Sequence, residues 1–374
     1  MGQYMKKSGS KSLPVIMYHY VNDLPGGITV SPACFEEHCR VLAEHGWRGV
    51  GLEEAENFLL GEGALPARSV LFTFDDGFFD NYLYALPLLN AYGHKGVVFA
   101  VSNRLEAGAA PRAPLDGLLA GNAPAMPEVA LPTVTTARGF SLRQDVFLNH
   151  AEARLMDAEG TLAVASHSRG HYGVYTGPGY KGFFRPRTRY RTFYRTEVEP
   201  VWGMPEFNVG AGLLHRAFLP APELIEAIKT LVPQDFDGAA DFFSAEANVR
   251  RLEALVQDVS GRPGGLGGFE SEAERKDRMW REIAGGKEEL ERILGHGVRS
   301  LCWPWGDYCE EALALAKEAG FSVFFTTREG VNPPGSALAA HRFKGKPKSG
   351  AWLLSRARIY ASPLVGRMYT RLRI

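Results

Sequence analysis

Residues 69–77 have the sequence Ser-Val-Leu-Phe-Thr-Phe-Asp-Asp-Gly, a short apolar run that ends in two adjacent acids. The run is rich in residues that favour β-structure and predicts a buried strand over 69–74, which Gly77 ends. Two carboxylates at the end of a buried strand are costly to desolvate unless they bind a metal or meet positive partners. Adjacent strand residues point to opposite sides, so we expect Asp75 and Asp76 to have different tasks, one at a metal and one at a proton. The alternative is a solvated Asp-Gly turn.

Predicted strands and helices alternate on both sides of this run. The other predicted strands cover residues 13–21, 95–101, 161–166, 298–302, 321–326 and 337–343. The predicted helices cover residues 31–45, 51–60, 81–92, 142–158, 270–294 and 309–319. This alternation implies a parallel sheet with helices outside it, either doubly wound or closed into a barrel.

Two segments interrupt the alternation. Residues 103–140 are rich in Ala, Gly and Pro, and residues 172–270 are long and poorly patterned. Because the alternation resumes after residue 270, we predict a single domain over 1–374 with insertions at about 103–140 and 172–270. A basic amphipathic helix is predicted at about 349–374.

Composition excludes some classes of protein. The 374 residues include 42 basic and 42 acidic side chains, and this zero formal net charge argues against a nucleic-acid-binding protein. The four cysteines form no Cys-x-x-Cys pair, which favours a reducing compartment. No stretch approaches the roughly 18 uninterrupted apolar residues of a membrane span, and no signal peptide is recognised, so we expect a cytoplasmic protein.

Two further groups of residues directly follow predicted strands. His167 and His171 follow the strand at 161–166, and two histidines with one carboxylate form a metal site that leaves a position open for water. Residues 302–308, Cys-Trp-Pro-Trp-Gly-Asp-Tyr, follow the strand at 298–302. Trp303 and Trp305 predict an apolar wall or a sugar-stacking platform, or else two core tryptophans beside a turn. In barrel enzymes this end of the strands carries the chemistry.

In this order, Thr73-Phe-Asp-Asp-Gly77, His167-Ser-x-x-His171 and Pro304-Trp-Gly306 resemble the motifs of polysaccharide deacetylases of the NodB-homology type (carbohydrate esterase family 4). Tyr18-His19 and the helix from Glu282 to Gly295 also match. The resemblance covers about 13–101, 161–171 and 270–343. It implies an α/β fold, a distorted barrel of the (β/α)7 type. It also implies a divalent metal and hydrolysis of the N-acetyl group of an N-acetylhexosamine.

The resemblance assigns roles to individual residues. The metal ligands would be Asp76, His167 and His171, with Zn favoured and Co, Ni or Fe as alternatives. Asp75 would be the general base, and the backbone N–H of Trp305 would help to hold the oxyanion. The expected substrate-binding residues are His19, Trp303 and Trp305.

Two departures from the family pattern affect these roles. Most members carry an Arg just before the third motif, where it orients the base, but Cys302 stands there in this chain. Trp-Pro-Trp-Gly resembles a subgroup in which an Arg late in the chain serves instead, and our candidate is Arg342, with Arg299 as the alternative. We expect His341, on the strand at 337–343, to be the general acid, with His215 and His296 as alternatives.

The expected partner is an N-acetylated glycan or sugar precursor. The run Arg185 to Arg195 predicts a solvated basic hairpin or a site for phosphate or carboxylate. Residues 351–374 combine arginines with aromatic and aliphatic residues and contain no acid. We expect this tail to pack on the barrel, or alternatively to contact an anionic membrane surface. The competing functions are a non-catalytic carbohydrate-binding protein on the same barrel and a hydrolase of other C–N amide bonds.

Overall fold

The computed structural model describes residues 9–24, 26–123, 133–136, 139–142, 146–186, 196 and 200–372. The strands are β1 (Val15–Tyr18), β2 (Tyr20–Val21), β3 (Thr29–Val30), β4 (Arg48–Gly49), β5 (Ser69–Asp76), β6 (Gly96–Ala100), β7 (Thr133–Thr136), β8 (Gly139–Leu142), β9 (Leu162–Ser166), β10 (Gly173–Phe183), β11 (Pro205–Ala211), β12 (Phe218–Pro220), β13 (Gly267–Phe269), β14 (Ser300–Cys302), β15 (Val323–Phe325) and β16 (Phe343–Lys344).

The α-helices are α1 (Pro32–Glu44), α2 (Leu52–Leu60), α3 (Leu86–Ala91), α4 (Leu115–Leu119), α5 (His150–Glu159), α6 (Pro222–Leu231), α7 (Phe236–Ser244), α8 (Glu246–Ser260), α9 (Glu272–Trp280), α10 (Gly286–Leu294), α11 (Glu310–Glu318), α12 (Gly350–Tyr360) and α13 (Pro363–Arg371). A π-helical turn, Asn81–Ala85, precedes α3, and another, Arg281–Gly285, joins α9 to α10.

The central sheet has the strand order β15-β14-β9-β6-β5-β1-β16, and β4 adds to β5 at the start of that strand. Neighbouring strands along this path are parallel. Parallel strands with intervening helices are buried on both faces, and all eight residues of β5 are buried, including the two acids at its end. The structure therefore confirms the predicted α/β fold, a curled parallel sheet of the distorted (β/α)7 type.

The segment at 337–344 connects the two edges of this sheet. Ala340 forms a parallel bridge with Phe325 of β15, and Phe343 then pairs with Ile16 of β1. The strand predicted over 337–343 is therefore shorter than expected, since only Phe343–Lys344 is regular. Because the segment passes from one edge strand to the other, Arg342 lies between them and is 1% exposed.

The segment predicted as an insertion at 172–270 contains its own apolar cluster. The antiparallel hairpin β10–β11 follows the second histidine directly, and helices α6 to α8 follow the hairpin. Most of the buried apolar side chains of this segment form a separate cluster, which includes Tyr175, Trp202, Met204, Leu224 and Leu252; Leu213 belongs to the main core instead. Most of the run Arg185 to Arg195 lies outside the described residues, so its predicted role is not addressed by the structure.

Further predicted segments differ from the structure. The helix predicted at 142–158 begins only at His150, because Asn149 accepts a hydrogen bond from Glu152 N–H and forms a capping box. The segment 103–140 contains a short helix, α4. The single helix predicted at about 349–374 is two helices, which Ala361 and Ser362 separate, and Pro363 begins the second. Among the described residues, no helix is both long and apolar enough to cross a membrane, and the cytoplasmic location remains a prediction.

Candidate active site

The candidate site lies where the carboxyl ends of β5, β9 and β14 meet. Asp75 and Asp76 end β5, His167 follows β9, and Trp303 follows β14. Parallel strands end at the same edge of a sheet, which is where α/β proteins bind ligands. A cavity of about 530 Å³ opens there, and its lining includes His19, Asp75, Asp76, His167, His171, Trp303 and Trp305.

Asp76 and the two histidines form a compact group of ligand atoms. Asp76 Oδ1 lies 4.0 Å from His167 Nε2 and 3.9 Å from His171 Nε2. His167 Nδ1 donates to the carbonyl oxygen of Cys302 at 2.8 Å, which leaves its Nε2 lone pair facing Asp76. Burial lowers the pKa of His167 and of His171, so both rings are neutral at pH 7. A neutral His₂-carboxylate set is a donor set that fits a divalent transition metal.

Unusual backbone conformations concentrate at this site. Five described residues other than glycine have positive φ, and four of them lie here: Asp76 (76°), Ser168 (67°), His171 (54°) and Trp305 (65°). Non-glycine residues in this region are strained and persist only where the surrounding structure holds them. The positive φ at Asp76 also explains how two adjacent acids face one cavity, because Asp76 departs from the alternation of an extended strand.

The loop that carries the two histidines is held by the helix that runs through Glu282. Glu282 Oε2 accepts from Gly170 N–H at 3.0 Å and from Ser168 Oγ at 3.2 Å. The carbonyl oxygen of Glu282 accepts from Arg169 N–H at 2.9 Å. A Cβ on Gly286 would lie 2.6 Å from Arg169 N, so only glycine permits this approach. The sequence alone assigns no role to Glu282 or to Gly286.

Asp75 is bound by Arg342 through two hydrogen bonds. Arg342 Nη1 donates to Asp75 Oδ1 at 2.6 Å, and Nη2 donates to Oδ2 at 2.8 Å. Burial acts to raise the pKa of Asp75, but the Arg342 guanidinium, with His167 and His19, holds this pKa below its ordinary value. Arg342 also donates to Thr326 O and Thr73 Oγ1, which fixes its plane.

The alternative arginine is elsewhere in the fold. Arg299 donates to Glu56 and Asn57 rather than to Asp75. Cys302, which occupies the usual position of the arginine, places its Sγ 3.7 Å from Asp75 Oδ1. The structure thus brings Arg342, and not Arg299, to the predicted base.

His341 does not line the catalytic cavity, and its role as general acid stays a prediction. Its ring packs against Gly330, where an added Cβ would lie 2.6 Å from the ring. Because Arg342 points into the barrel, its neighbour on the extended backbone points away. The two alternative general acids make contacts elsewhere. His296 is exposed and pairs with Asp157 at 2.6 Å, and His215 packs against Gly210.

His19 and the two tryptophans differ in exposure. His19 Nε2 lies 3.9 Å from Asp75 Oδ2, and its side chain is 22% exposed. Trp305 stacks on His171 with ring centroids 6.1 Å apart. Trp303 is fully buried and stacks on Tyr308 and Phe324, so its ring is part of the core rather than an exposed platform for sugars.

Arg104 is a buried residue of the site that is not among the residues predicted from the sequence. Its Nη1 lies 3.4 Å from Asp76 Oδ1, and its Nη2 donates to Gly170 O at 3.4 Å. It follows β6, the strand between β5 and β9, so the rule that strand ends carry the chemistry could have identified it.

Comparisons of the sequence with known proteins agree with this geometry. Residues 62–191 match the polysaccharide deacetylase family. The chain is also 31% identical over 102 residues to YxkH of Bacillus subtilis (strain 168), a protein assigned as a polysaccharide deacetylase. This match covers 27% of the chain and 36% of that relative. The family resemblance drawn from the three motifs is thereby confirmed.

Solved structures of similar fold cover nearly the whole chain. A de-N-acetylase from Aggregatibacter actinomycetemcomitans has a TM-score of 0.60 at 17% identity, covering 92% of this chain and 99% of that one. The BpsB deacetylase domain from Bordetella bronchiseptica has a TM-score of 0.56 at 20% identity, covering 89% and 96%. IcaB from Ammonifex degensii has a TM-score of 0.52 at 20% identity, covering 94% and 98%. At these identities the likeness establishes the fold.

Proposed function

We propose that this chain, of which residues 62–191 match the polysaccharide deacetylase family, is a metal-dependent hydrolase that removes the N-acetyl group of an N-acetylhexosamine. The substrate would be a polysaccharide or a glycan precursor. One observation carries this proposal: a carboxylate bound by a buried arginine lies beside a second carboxylate that faces two neutral histidines, all in one cavity. Two adjacent carboxylates in such different surroundings can serve different roles, one as the general base and the other as a metal ligand.

Asp76, His167 and His171 would hold the divalent cation. We favour Zn, with Co, Ni or Fe as alternatives, because two imidazoles and one carboxylate suit each of them. When bound, the cation would polarise the acetyl carbonyl and make water a stronger nucleophile. Arg104, close to Asp76 Oδ1, would help to keep this carboxylate oriented.

Asp75 would act as the general base. The Arg342 guanidinium keeps the pKa of Asp75 low, so the carboxylate is ionised at neutral pH and can accept a proton. The two hydrogen bonds from Arg342 also fix the direction of both oxygens. The backbone N–H of Trp305 occupies the family position for a donor to the tetrahedral oxyanion.

We propose His19, and not His341, as the group that protonates the leaving amine. His19 lines the cavity and lies within 3.9 Å of Asp75, and a proton taken by Asp75 has only a short path to it. His341 packs against Gly330 outside the cavity lining. This assignment replaces the general acid predicted from the sequence.

The C-terminal helix α13 has the features of a helix that contacts a membrane surface peripherally. Leu364, Val365 and Met368 of α13 are 72%, 48% and 58% exposed, and Leu372 just beyond it is 84% exposed. Arginines 367 and 371 lie on the same helix, and residues 351–374 contain no acid. Exposed apolar side chains with basic neighbours are typical of helices that lie on an anionic lipid surface.

The proposal is tested with wild type, Asp75→Asn and Asp76→Asn, each assayed for bound metal and for acetate release from N-acetylglucosamine oligomers and from UDP-N-acetylglucosamine. We expect metal in wild type and Asp75→Asn, acetate from wild type alone, and little metal in Asp76→Asn. Equal metal content in all three proteins would contradict the ligand assignment. Metal without acetate from any substrate would instead favour a binding protein on the same barrel.

A further inference from the structure

A second, smaller cavity adjoins the catalytic cavity. It has a volume of about 110 Å³, and four cationic side chains line it: Lys344, Lys346, Lys348 and Arg356. Lys344 and Lys346 also line the catalytic cavity. The two cavities therefore adjoin at these two lysines.

None of the four cations forms an ion pair with a described carboxylate, although Glu329 also lines the small cavity. Glu329 Oε2 instead accepts a hydrogen bond from Tyr360 OH at 2.7 Å. Arg356 Nε is buried and has no hydrogen-bond partner among the described residues. Four cations and one carboxylate line the small cavity, so it carries an excess of positive charge that would attract an anion.

Arg356 and the backbone that carries the three lysines are held in place before any ligand arrives. The guanidinium carbon of Arg356 lies 4.7 Å from the ring centroid of Tyr369 and 5.5 Å from that of Trp352. These two contacts restrict the orientation of the guanidinium group. Gly345 N–H donates to Met17 O at 2.9 Å, and the carbonyl oxygen of Lys348 accepts from His38 Nε2 at 2.7 Å. The backbone that carries the lysines is thus anchored at both ends to β1 and α1.

We propose that this cavity binds a phosphate or pyrophosphate group of the substrate, which selects a phosphorylated N-acetylhexosamine precursor over a neutral glycan. The inference rests on the proposed deacetylase function. Three lysines supply point charges and Arg356 supplies a planar fork, a combination that suits a multiply charged phosphate. A neutral hexosamine oligomer offers no charge to these four side chains.

Kinetics with two substrates test the proposal. Arg356→Gln and Lys348→Gln remove charge from the small cavity without touching the catalytic lining. We expect each to raise KM for UDP-N-acetylglucosamine about tenfold or more, and to leave kcat and KM for an N-acetylglucosamine tetramer within about twofold. Arg358→Gln is the matched control, because Arg358 lies on the same helix but is exposed and outside the cavity. Equal effects on the two substrates, or none on either, would overturn the proposal.

Measurements of pyrophosphate binding test the anion site independently of the deacetylase function. Titration calorimetry with inorganic pyrophosphate should show binding to wild type and Arg358→Gln that weakens about tenfold or more in Arg356→Gln and Lys348→Gln. That result without acetate release from any substrate would support the anion site and contradict the proposed function. Equal pyrophosphate binding by all four proteins would overturn the anion site. Loss of sedimentation with phosphatidylglycerol vesicles in both cavity variants, with unchanged kinetics, would assign the cavity to lipid headgroups and overturn a substrate phosphate.

Discussion

Asp75 and Asp76 are adjacent in sequence but are neutralised by different groups. Asp75 has a bidentate partner, Arg342, at 2.6 and 2.8 Å. Asp76 faces two histidine nitrogens near 4 Å and an arginine at 3.4 Å. A buried carboxylate with ideal partners is already satisfied, whereas one with partners at 4 Å leaves room for an ion between them. The geometry therefore distinguishes the two acids more sharply than their position in the sequence does.

Replacing Arg342 with lysine should impair Asp75, the proposed base, without removing the proposed metal site. A lysine presents one point charge and cannot hold both oxygens of Asp75 in a plane. We expect kcat for acetate release to fall by about tenfold to a hundredfold, with metal content unchanged. Arg358→Lys, an exposed arginine elsewhere, should behave as wild type. Activity of Arg342→Lys equal to wild type would show that this pair does not orient the base.

The two candidate general acids give opposite predictions. His19→Gln should lower kcat by about a hundredfold or more, because its ring lies in the cavity and near Asp75. His341→Gln should stay within about twofold, because its ring faces Gly330 outside the cavity. Measurement of kcat for both variants on one substrate decides between them, and the reverse pattern would restore His341 as the acid.

The sequence predicts which strands end in polar residues better than it predicts which distant side chains meet them. Asp75, Asp76, His167 and His171 follow apolar runs, so their common location follows from the parallel sheet. Arg342 is 267 positions from Asp75, and nothing local in the sequence ties the two. Placing both His341 and Arg342 in the site conflicts with the alternation of side chains along an extended segment.

At the level of elements, the helix from Glu272 to Leu294 supports the histidine loop. Gly286 is the point of closest approach, since an added Cβ would meet backbone atoms of Ser168 and Arg169 at 2.6 to 2.8 Å. At Gly285 the same Cβ would meet only the Arg169 side chain, at 3.5 Å. Both glycines have helical φ, so alanine fits the helix itself at either position.

Gly286→Ala should therefore displace the histidine loop, whereas Gly285→Ala should not. We expect at least a tenfold weaker affinity for Zn in Gly286→Ala, measured by competition with a chelator, because ligand positions depend on their supporting contacts. Gly285→Ala should keep wild-type affinity and gain up to about 1 kcal/mol of stability. The same Zn affinity in both variants would show that the loop adapts without cost.

Asp80 connects β2 to the helical turn after β5 and makes stability depend on pH. Its carboxylate accepts from Val21 N–H and Asn22 Nδ2 in or beside β2, and from Asn81 Nδ2. Burial raises the pKa of Asp80 from 3.8 to about 7, against the effect of these donors. Between these pH values the folded protein binds a proton that the unfolded chain releases. The free energy of unfolding should therefore fall as pH rises from about 4 to about 7.

Denaturant unfolding at several pH values measures this slope. The expected contribution is on the order of a few kcal/mol across the window. Asp80→Asn cannot titrate and should lose this part of the slope, even if its stability is lower at every pH because one acceptor is replaced by a donor. Parallel slopes for wild type and Asp80→Asn would contradict the raised pKa.

At the scale of the whole molecule, the last strand of the barrel joins the first. The segment at 337–344 contacts β15 on one side and β1 on the other, and it delivers Arg342 to Asp75. Removing residues 337–374 should expose the edges of both strands and leave Asp75 buried without its cation, which costs about 3–5 kcal/mol for the charge alone. We expect this truncated chain to fail to fold, as judged by far-UV and near-UV circular dichroism.

A shorter truncation, of residues 363–374, separates closure of the barrel from the exposed apolar helix. It leaves β16 and α12 intact and removes α13, whose Leu364 and Met368 are mostly exposed. Because little buried surface is lost, we expect native circular dichroism and wild-type kcat, but reduced sedimentation with anionic vesicles. If the shorter truncation unfolds as completely as the longer one, α13 is a structural element of the barrel. Undiminished vesicle binding would instead show that the membrane contact lies elsewhere on the chain.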